Sequence, residues 1–276
     1  MLGAAESFVI TGALGWALAL GGPENAGKVM AWMGMPMYAA FALGAPAGSA
    51  LYAGHGFAAI ALATILAPFA GLLVIARLRP VPPLARSNPP KFRSAFGAVR
   101  LPGLGLALSS TGFGSVTIFV ALLFAQEGWS AAWGAFSALS IAFVLARLAL
   151  GHLPDRIGGA KIALVSVVVE AIGQALIWLA PSPIVVFAGA ALTGFGYSLI
   201  FPAFGLEAVH RAAPEGRALV MGAYTACLDL ALGIAGPALG LLASSTGVRT
   251  VFLTSALLVL CATVVALRLL AAPARA

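Results

Sequence analysis

The chain is 276 residues long, 62% hydrophobic and only 8% charged, with a mean hydropathy of +1.06. Water-soluble domains carry about 25% charged residues, so a globule facing water on all sides is excluded and the solvent must be lipid. The net charge of +7 does not mark a nucleic-acid binder, because the basic residues lie in short gaps between apolar runs.

Roughly 20 apolar residues carry a helix across the hydrocarbon. Three such runs come first, at 2–20, 29–52 and 57–77. Six more follow at 101–125, 130–150, 162–180, 183–208, 217–243 and 249–270. The pattern predicts an all-α membrane protein of nine transmembrane helices, arranged 3 + 6. Between the two groups stand Arg79, Pro80, Pro82, Pro83, Arg86, Pro89, Pro90, Lys91 and Arg93. That composition reads as a basic, proline-rich linker. The expected domains are residues 1–77, a linker over 78–100 and a six-helix bundle over 101–276. Glycine is abundant, at 33 residues, as suits membrane helices in close contact. Cys227 and Cys261 lie inside apolar runs and predict neither a disulfide framework nor a metal site. No basic stretch precedes a short apolar core at the N-terminus, so no cleavable leader is expected.

Lysine and arginine stay on the cytoplasmic side. Alternate gaps hold Lys28; the linker cations; Arg156 and Lys161; Arg211 and Arg217; and Arg275 in the tail. With Arg77, Arg147 and Arg268 at helix ends, fourteen of the fifteen basic residues fall on one side, and Arg249 stands alone on the other. The linker and C-terminus are therefore expected in the cytoplasm and Met1 outside. His210 and Arg211 read as solvated topology determinants.

An internal repeat links the first three runs to the last three. At one fixed offset Gly3 pairs with Gly194, Ser7 with Ser198, Pro23 with Pro214, Glu24 with Glu215, Gly56 with Gly247 and Arg77 with Arg268. Same-orientation repeats joined by a cytoplasmic linker are a construction principle of transporters. The repeat predicts a first bundle of six as well, with three further spans before Met1, and an outside-facing Met1 agrees with it.

The gap between the fifth and sixth runs reads Gly151-His152-Leu153-Pro154-Asp155-Arg156-Ile157-Gly158-Gly159-Ala160-Lys161. It resembles the signature loop of the major facilitator superfamily and sits where that family places its second copy. Gly44 to Gly48 looks like a degenerate form of the family's fifth-helix antiporter motif. Gly3 to Phe8, Gly27-Lys28 and Tyr224 to Pro237 are similar to a sugar-efflux-like bacterial branch. The resemblance implies a partial major facilitator fold, secondary active transport and no cofactor.

Ionisable groups in mid-membrane cost about 2.5–3.5 kcal/mol on insertion scales, so each calls for a reason. Glu6, Glu170 and Asp229 lie deep in predicted spans without a deep cation to pair with, which suits proton binding. Glu170 shares a helix face with Ser166 and Gln174; the resemblance makes its helix peripheral and its role structural, whereas it points the helix of Glu6 at the cavity. It also implies that Tyr38, Ser110, Phe113, Thr117, Tyr197, Phe201 and Tyr224 line that cavity, a mostly aromatic surface suited to a small organic substrate. Gly151, Asp155, Arg156, Gly158 and Lys161 are expected to form a gating loop, and the resemblance implies that Asp155 meets the helix start near Gly27-Lys28. Pro36, Pro46, Pro202 and Pro237 lie inside spans, where they loosen backbone pairing.

The sequence holds no His-Glu zinc pattern, no Gly-x-Ser-x-Gly and no nucleotide-binding loop, so an enzyme or an ATP-driven pump is not expected. The expected function is proton-coupled efflux of a small organic solute by a monomer in the cell inner membrane. The expected partners are lipid, substrate and protons, with no nucleic acid. An uptake symporter, a non-transporting fragment and a structural membrane protein stay open as alternatives. The basic bias gives a direct check on topology. On intact cells an impermeant thiol reagent should label Ser244→Cys and leave Ser87→Cys unlabelled; the reverse pattern defeats the orientation.

Overall fold

The computed structural model describes residues 26–77, 92–212 and 217–272, together with positions 13, 16 and 20. Regular structure among them is helical throughout. The elements are α1 (Ala26–Ile75), α2 (Phe92–Gln126), α3 (Trp133–Leu150), α4 (Leu153–Ile157), α5 (Gly159–Leu179), α6 (Pro183–His210), α7 (Arg217–Thr246) and α8 (Val248–Ala271). Seven helices among the described residues are long and apolar enough to cross a membrane.

That number falls below nine for two reasons. The predicted span 2–20, with Glu6, lies outside the described residues apart from three isolated positions. The predicted spans 29–52 and 57–77 run together in α1, a 50-residue element interrupted at Gly56. There φ is 72° and ψ −170°, a backbone conformation that a Cβ would strain. The remaining six spans each have their own helix. Helix α2 starts at Phe92, ahead of the expected 101, because Ala98 and Val99 are buried and extend its packed face. The short α4 inside the signature-like loop was not foreseen.

The chain divides into two compact units, Met1–Arg86 and Ser87–Ala276. In the first, α1 exposes large apolar side chains along its length, Leu43, Phe57, Leu66 and Leu73 among them, as a helix in lipid or against other membrane helices must. In the second, six long helices and α4 enclose a core. Helix α2 lies against α6, α7 and α8, while α5 packs on α6 and α8, and α3 packs on α6. Leu106, Leu123 and Phe124 of α2, Ile177 of α5, Ile200 and Phe204 of α6 and Phe252 of α8 fill the interior.

Lipid tails are as apolar as leucine, so helix association here relies on close packing and interhelical hydrogen bonds more than on the hydrophobic effect. The α5–α6 crossing meets that demand with glycines. A Cβ on Gly173 would fall 2.6 Å from both the Gly189 carbonyl oxygen and the Thr193 backbone nitrogen. One on Gly189 would fall 2.7 Å from the Gly173 carbonyl oxygen. Both obstacles are backbone and cannot swing aside. Gly173→Val should therefore push α5 from α6 and cost at least about 1–3 kcal/mol, the usual range for overpacking. The check is the melting temperature of the purified chain in detergent, which an unchanged value would contradict.

Candidate functional site

The α5–α6 approach brings polar side chains of three helices together inside the second unit. Gln174 of α5 is buried and donates through Nε2 to the Gly112 carbonyl of α2 (2.9 Å) and to Thr193 Oγ1 of α6 (3.1 Å). Ser115 of α2 donates to Gln174 Oε1 (2.7 Å), and Thr193 Oγ1 donates to the Gly189 carbonyl (2.9 Å). Each polar atom of the Gln174 amide thus has a partner, the condition under which a buried network stabilises a bundle.

One turn before Gln174, Glu170 is fully buried on the same face, and Ser166 is buried beside it. The helix face that Ser166, Glu170 and Gln174 share is turned inward. A Cβ on Gly112 would fall 2.5 Å from Glu170 Oε1, so α2 has room for this carboxyl only because position 112 is glycine. The Ser109 hydroxyl faces the carboxyl, yet neither carboxylate oxygen nor Ser109 Oγ completes a hydrogen bond among the described residues. Asp229 is placed differently. It is exposed on the surface of the second unit along α7, near Leu230, Gly233 and Ile234 on the same face.

The aromatic candidates fall into two clusters in the second unit. Phe113 stacks on Tyr197 with ring centroids 5.0 Å apart and planes 9° from parallel, and Phe143 closes the group at 6.4 Å. Ser110 Oγ lies 3.2 Å from Tyr197 Oη. Since the Ser110 proton goes to the Leu106 carbonyl (2.7 Å), Tyr197 is the donor between them. Separately, Tyr224 donates to the Phe201 carbonyl (2.9 Å), and their rings stand 5.2 Å apart. Ser110, Phe113, Tyr197 and Tyr224 are buried inside this unit, while Thr117 and Phe201 are half-buried. Tyr38 is buried within the first unit's described residues.

The signature-like loop forms one end of the second unit. Gly158 has φ 103°, which the tight link from α4 to α5 requires and which disfavours other residues. Gly151 caps α3, and Asp155, Arg156 and Lys161 are exposed. Beside the loop lies a tie that sequence reasoning missed. Glu207 Oε1 accepts the Ala160 N–H at the start of α5 (3.0 Å), and Oε2 pairs with Arg211 at 2.5 Å. Arg211 also donates to the Ala272 carbonyl at the end of α8 (2.9 Å). Arg211 is therefore a three-helix tie and not merely a solvated charge. The i, i+4 spacing of Glu207 and Arg211 was the available signal. Arg147, near the same end, donates to the Ser198 carbonyl of α6 (2.8 Å).

Arg249 organises the opposite end. Its guanidinium pairs with Glu127 (2.8 Å), donates to the Trp178 and Ala180 carbonyls at the end of α5 (3.1 and 3.0 Å) and lies 5.9 Å from the Trp129 ring centroid. Among the described residues no cluster of three or more His, Cys, Asp or Glu could hold a metal ion.

A helical bundle with this many long apolar helices belongs among the multi-pass membrane proteins. The Major Facilitator Superfamily model matches residues 1–168 and 103–276, and the chain is a member of that family of transporters. An uncharacterized MFS-type transporter of Salmonella typhimurium is 42% identical over 256 residues, covering 93% of this chain and 66% of the relative. Further uncharacterized MFS-type transporters from Pseudomonas aeruginosa and Burkholderia mallei are each 39% identical over 257 residues, covering 93% of this chain and 64% and 63% of themselves. The chain thus spans slightly less than two thirds of the length of these curated relatives.

Charge at the Arg249 end yields a pH prediction. The Arg249 guanidinium, through a hydrogen bond first and simple attraction second, holds the Glu127 carboxyl below its ordinary value. A depressed carboxyl stabilises the fold above its unfolded-state pKa and loses that contribution as pH falls through the folded value. Glu127→Gln should lower the melting temperature near neutral pH and match the parent chain in strong acid. An equal difference at both pH values would remove the pair from the explanation.

Proposed function

We propose that this chain provides the helical body of a secondary active transporter that exports a small organic solute in exchange for protons. The supporting observation is Glu170, an acid enclosed in a membrane bundle with no ion pair and no completed hydrogen bond among the described residues. Such a group is a functional-site candidate by default. We read the helices as nine, three over 1–77 and six over 101–276, joined by a linker over 78–100. The family model's two overlapping matches support a chain of repeated bundles. The proposed setting is the inner membrane, with the linker and C-terminus cytoplasmic and the protein monomeric, in the sugar-efflux-like branch.

Within this reading Glu6 and Asp229 are proton-coupling acids, and Glu170 is a third. Exposure of Asp229 on α7 supports access from outside the second unit. Phe201 and Thr117 are the half-buried members of the aromatic set and the ones with surface to offer a substrate; Ser110, Phe113, Tyr197 and Tyr224 stand behind them, with Tyr38 in the first unit. Asp155, in the exposed loop with Arg156 and Lys161, acts in gating and not in substrate binding, since it stands at a helix end.

Gradient-driven uptake into inverted vesicles tests the coupling. Glu6→Gln and Asp229→Asn copy the protonated state, so each should abolish accumulation against a gradient while substrate binding persists. If both variants still concentrate substrate, these acids are structural.

A further inference from the structure

We propose that Glu170 is a proton-binding site sealed within the second unit, occupied in this conformation and able to exchange only when α5 draws away from α2. This extends the coupling reading above to a site of its own. Its warrant is geometric. Both carboxylate oxygens are buried and unpartnered among the described residues, as is Ser109 Oγ, a hydroxyl facing them. A turn away, Gln174 satisfies every polar atom of its amide across the same three helices. The contrast shows that this interior can satisfy a polar side chain where pairing is all that is required.

Among the described residues no cation answers the carboxylate from any helix around it. Along α2 there is no ionisable residue between Arg100 and Glu127, and along α8 only the exposed Cys261 stands between Arg249 and Arg268. On α6 the neighbour is Tyr197, whose hydroxyl is engaged with Ser110, and Glu207 is tied to Arg211 at the helix end. Arg147 of α3 donates to the Ser198 carbonyl, and Asp155 and Arg156 of α4 are exposed. An ionised carboxylate in this setting would be the costliest state for the group. One proton, bonded to a carboxylate oxygen, removes the charge and leaves a neutral acid that supplies a donor.

The seal is visible in the glycines. A Cβ at Gly112 would meet Glu170 Oε1 at 2.5 Å, and one at Gly196 would meet the Glu170 backbone nitrogen at 2.7 Å and its Cβ at 3.0 Å. Helix α2 therefore presses on the carboxyl, and α6 on the backbone and Cβ that carry it. Water reaches it only if that contact opens; the carboxyl O–H bond then breaks, the proton passes to water, and the carboxylate is left hydrated.

Infrared spectroscopy of the whole chain in lipid nanodiscs reads this directly. The parent chain should show a protonated-carboxyl carbonyl band that Glu170→Gln removes, and in D2O that band should shift slowly. Ser109→Ala should move the band without abolishing it, which keeps the assignment open to test if Glu170→Gln does not fold. A band identical in all three proteins overturns the site, and a shift complete on mixing overturns the seal. A band that never shifts overturns exchange. Stabilisation of the parent chain, but not Glu170→Gln, by sodium chloride over choline chloride would assign the site to a metal cation instead and overturn the proton. Transport is not part of the readout, so loss of the coupling reading and loss of this site are separate results.

Discussion

The close crossing of α5 on α6 is the contact on which the second unit depends. Gly173 and Gly189 bring two backbones within reach of each other, and only at that separation can Thr193 and Gln174 meet. Gln174 then extends the contact to the Gly112 carbonyl and Ser115 of α2. Remove the glycines and the hydrogen bonds lose their geometry; remove the hydrogen bonds and little besides dispersion distinguishes a neighbouring helix from a lipid tail. Packing and polarity are thus one device here.

The same closeness sets the condition of Glu170. Gly112 brings α2 against the carboxyl, and Gly196 brings α6 against the Glu170 backbone and Cβ. Its neighbour Gln174 is satisfied because amide nitrogen and oxygen each face a helix that offers the complementary atom. Glu170 offers only acceptors while ionised, and among the described residues neither of its oxygens completes a hydrogen bond, although the Ser109 hydroxyl faces them. The difference between the paired amide and the unpaired carboxyl is one helical turn and the loss of donors.

Much of this was legible in the sequence, and the rest was not for identifiable reasons. Apolar runs bounded by charge placed six of the helices, since length and polarity alone decide what crosses lipid. The common face of Ser166, Glu170 and Gln174 followed from helical spacing, and its inward direction came from the structure. Gly56, marked by the repeat, stands where α1 breaks. What spacing could not give was identity of neighbours. The reach of Arg211 to the Ala272 carbonyl and of Arg249 to Glu127 and two carbonyls of α5 joins residues far apart in the chain. Reading Arg211 as a solvated topology marker treated a long side chain as a charge and ignored its hydrogen-bonding fork. The peripheral role that the resemblance gave the helix of Glu170 hid the fact that a peripheral helix still presents one face to α2.

Ties at both ends give the second unit a mechanical character. Arg211 and Glu207 fasten α5, α6 and α8 at one end, and Arg249 fastens α2, α5 and α8 at the other. A bundle clasped at both ends resists splaying and moves most easily as a single lever. Helix α6, of 28 residues, is about 42 Å long at 1.5 Å per residue, so tilting by about 10° around its middle carries each tip about 4 Å. Such a displacement exceeds the roughly 2.8 Å width of a water molecule, so a small tilt is enough to admit or expel water at a helix end.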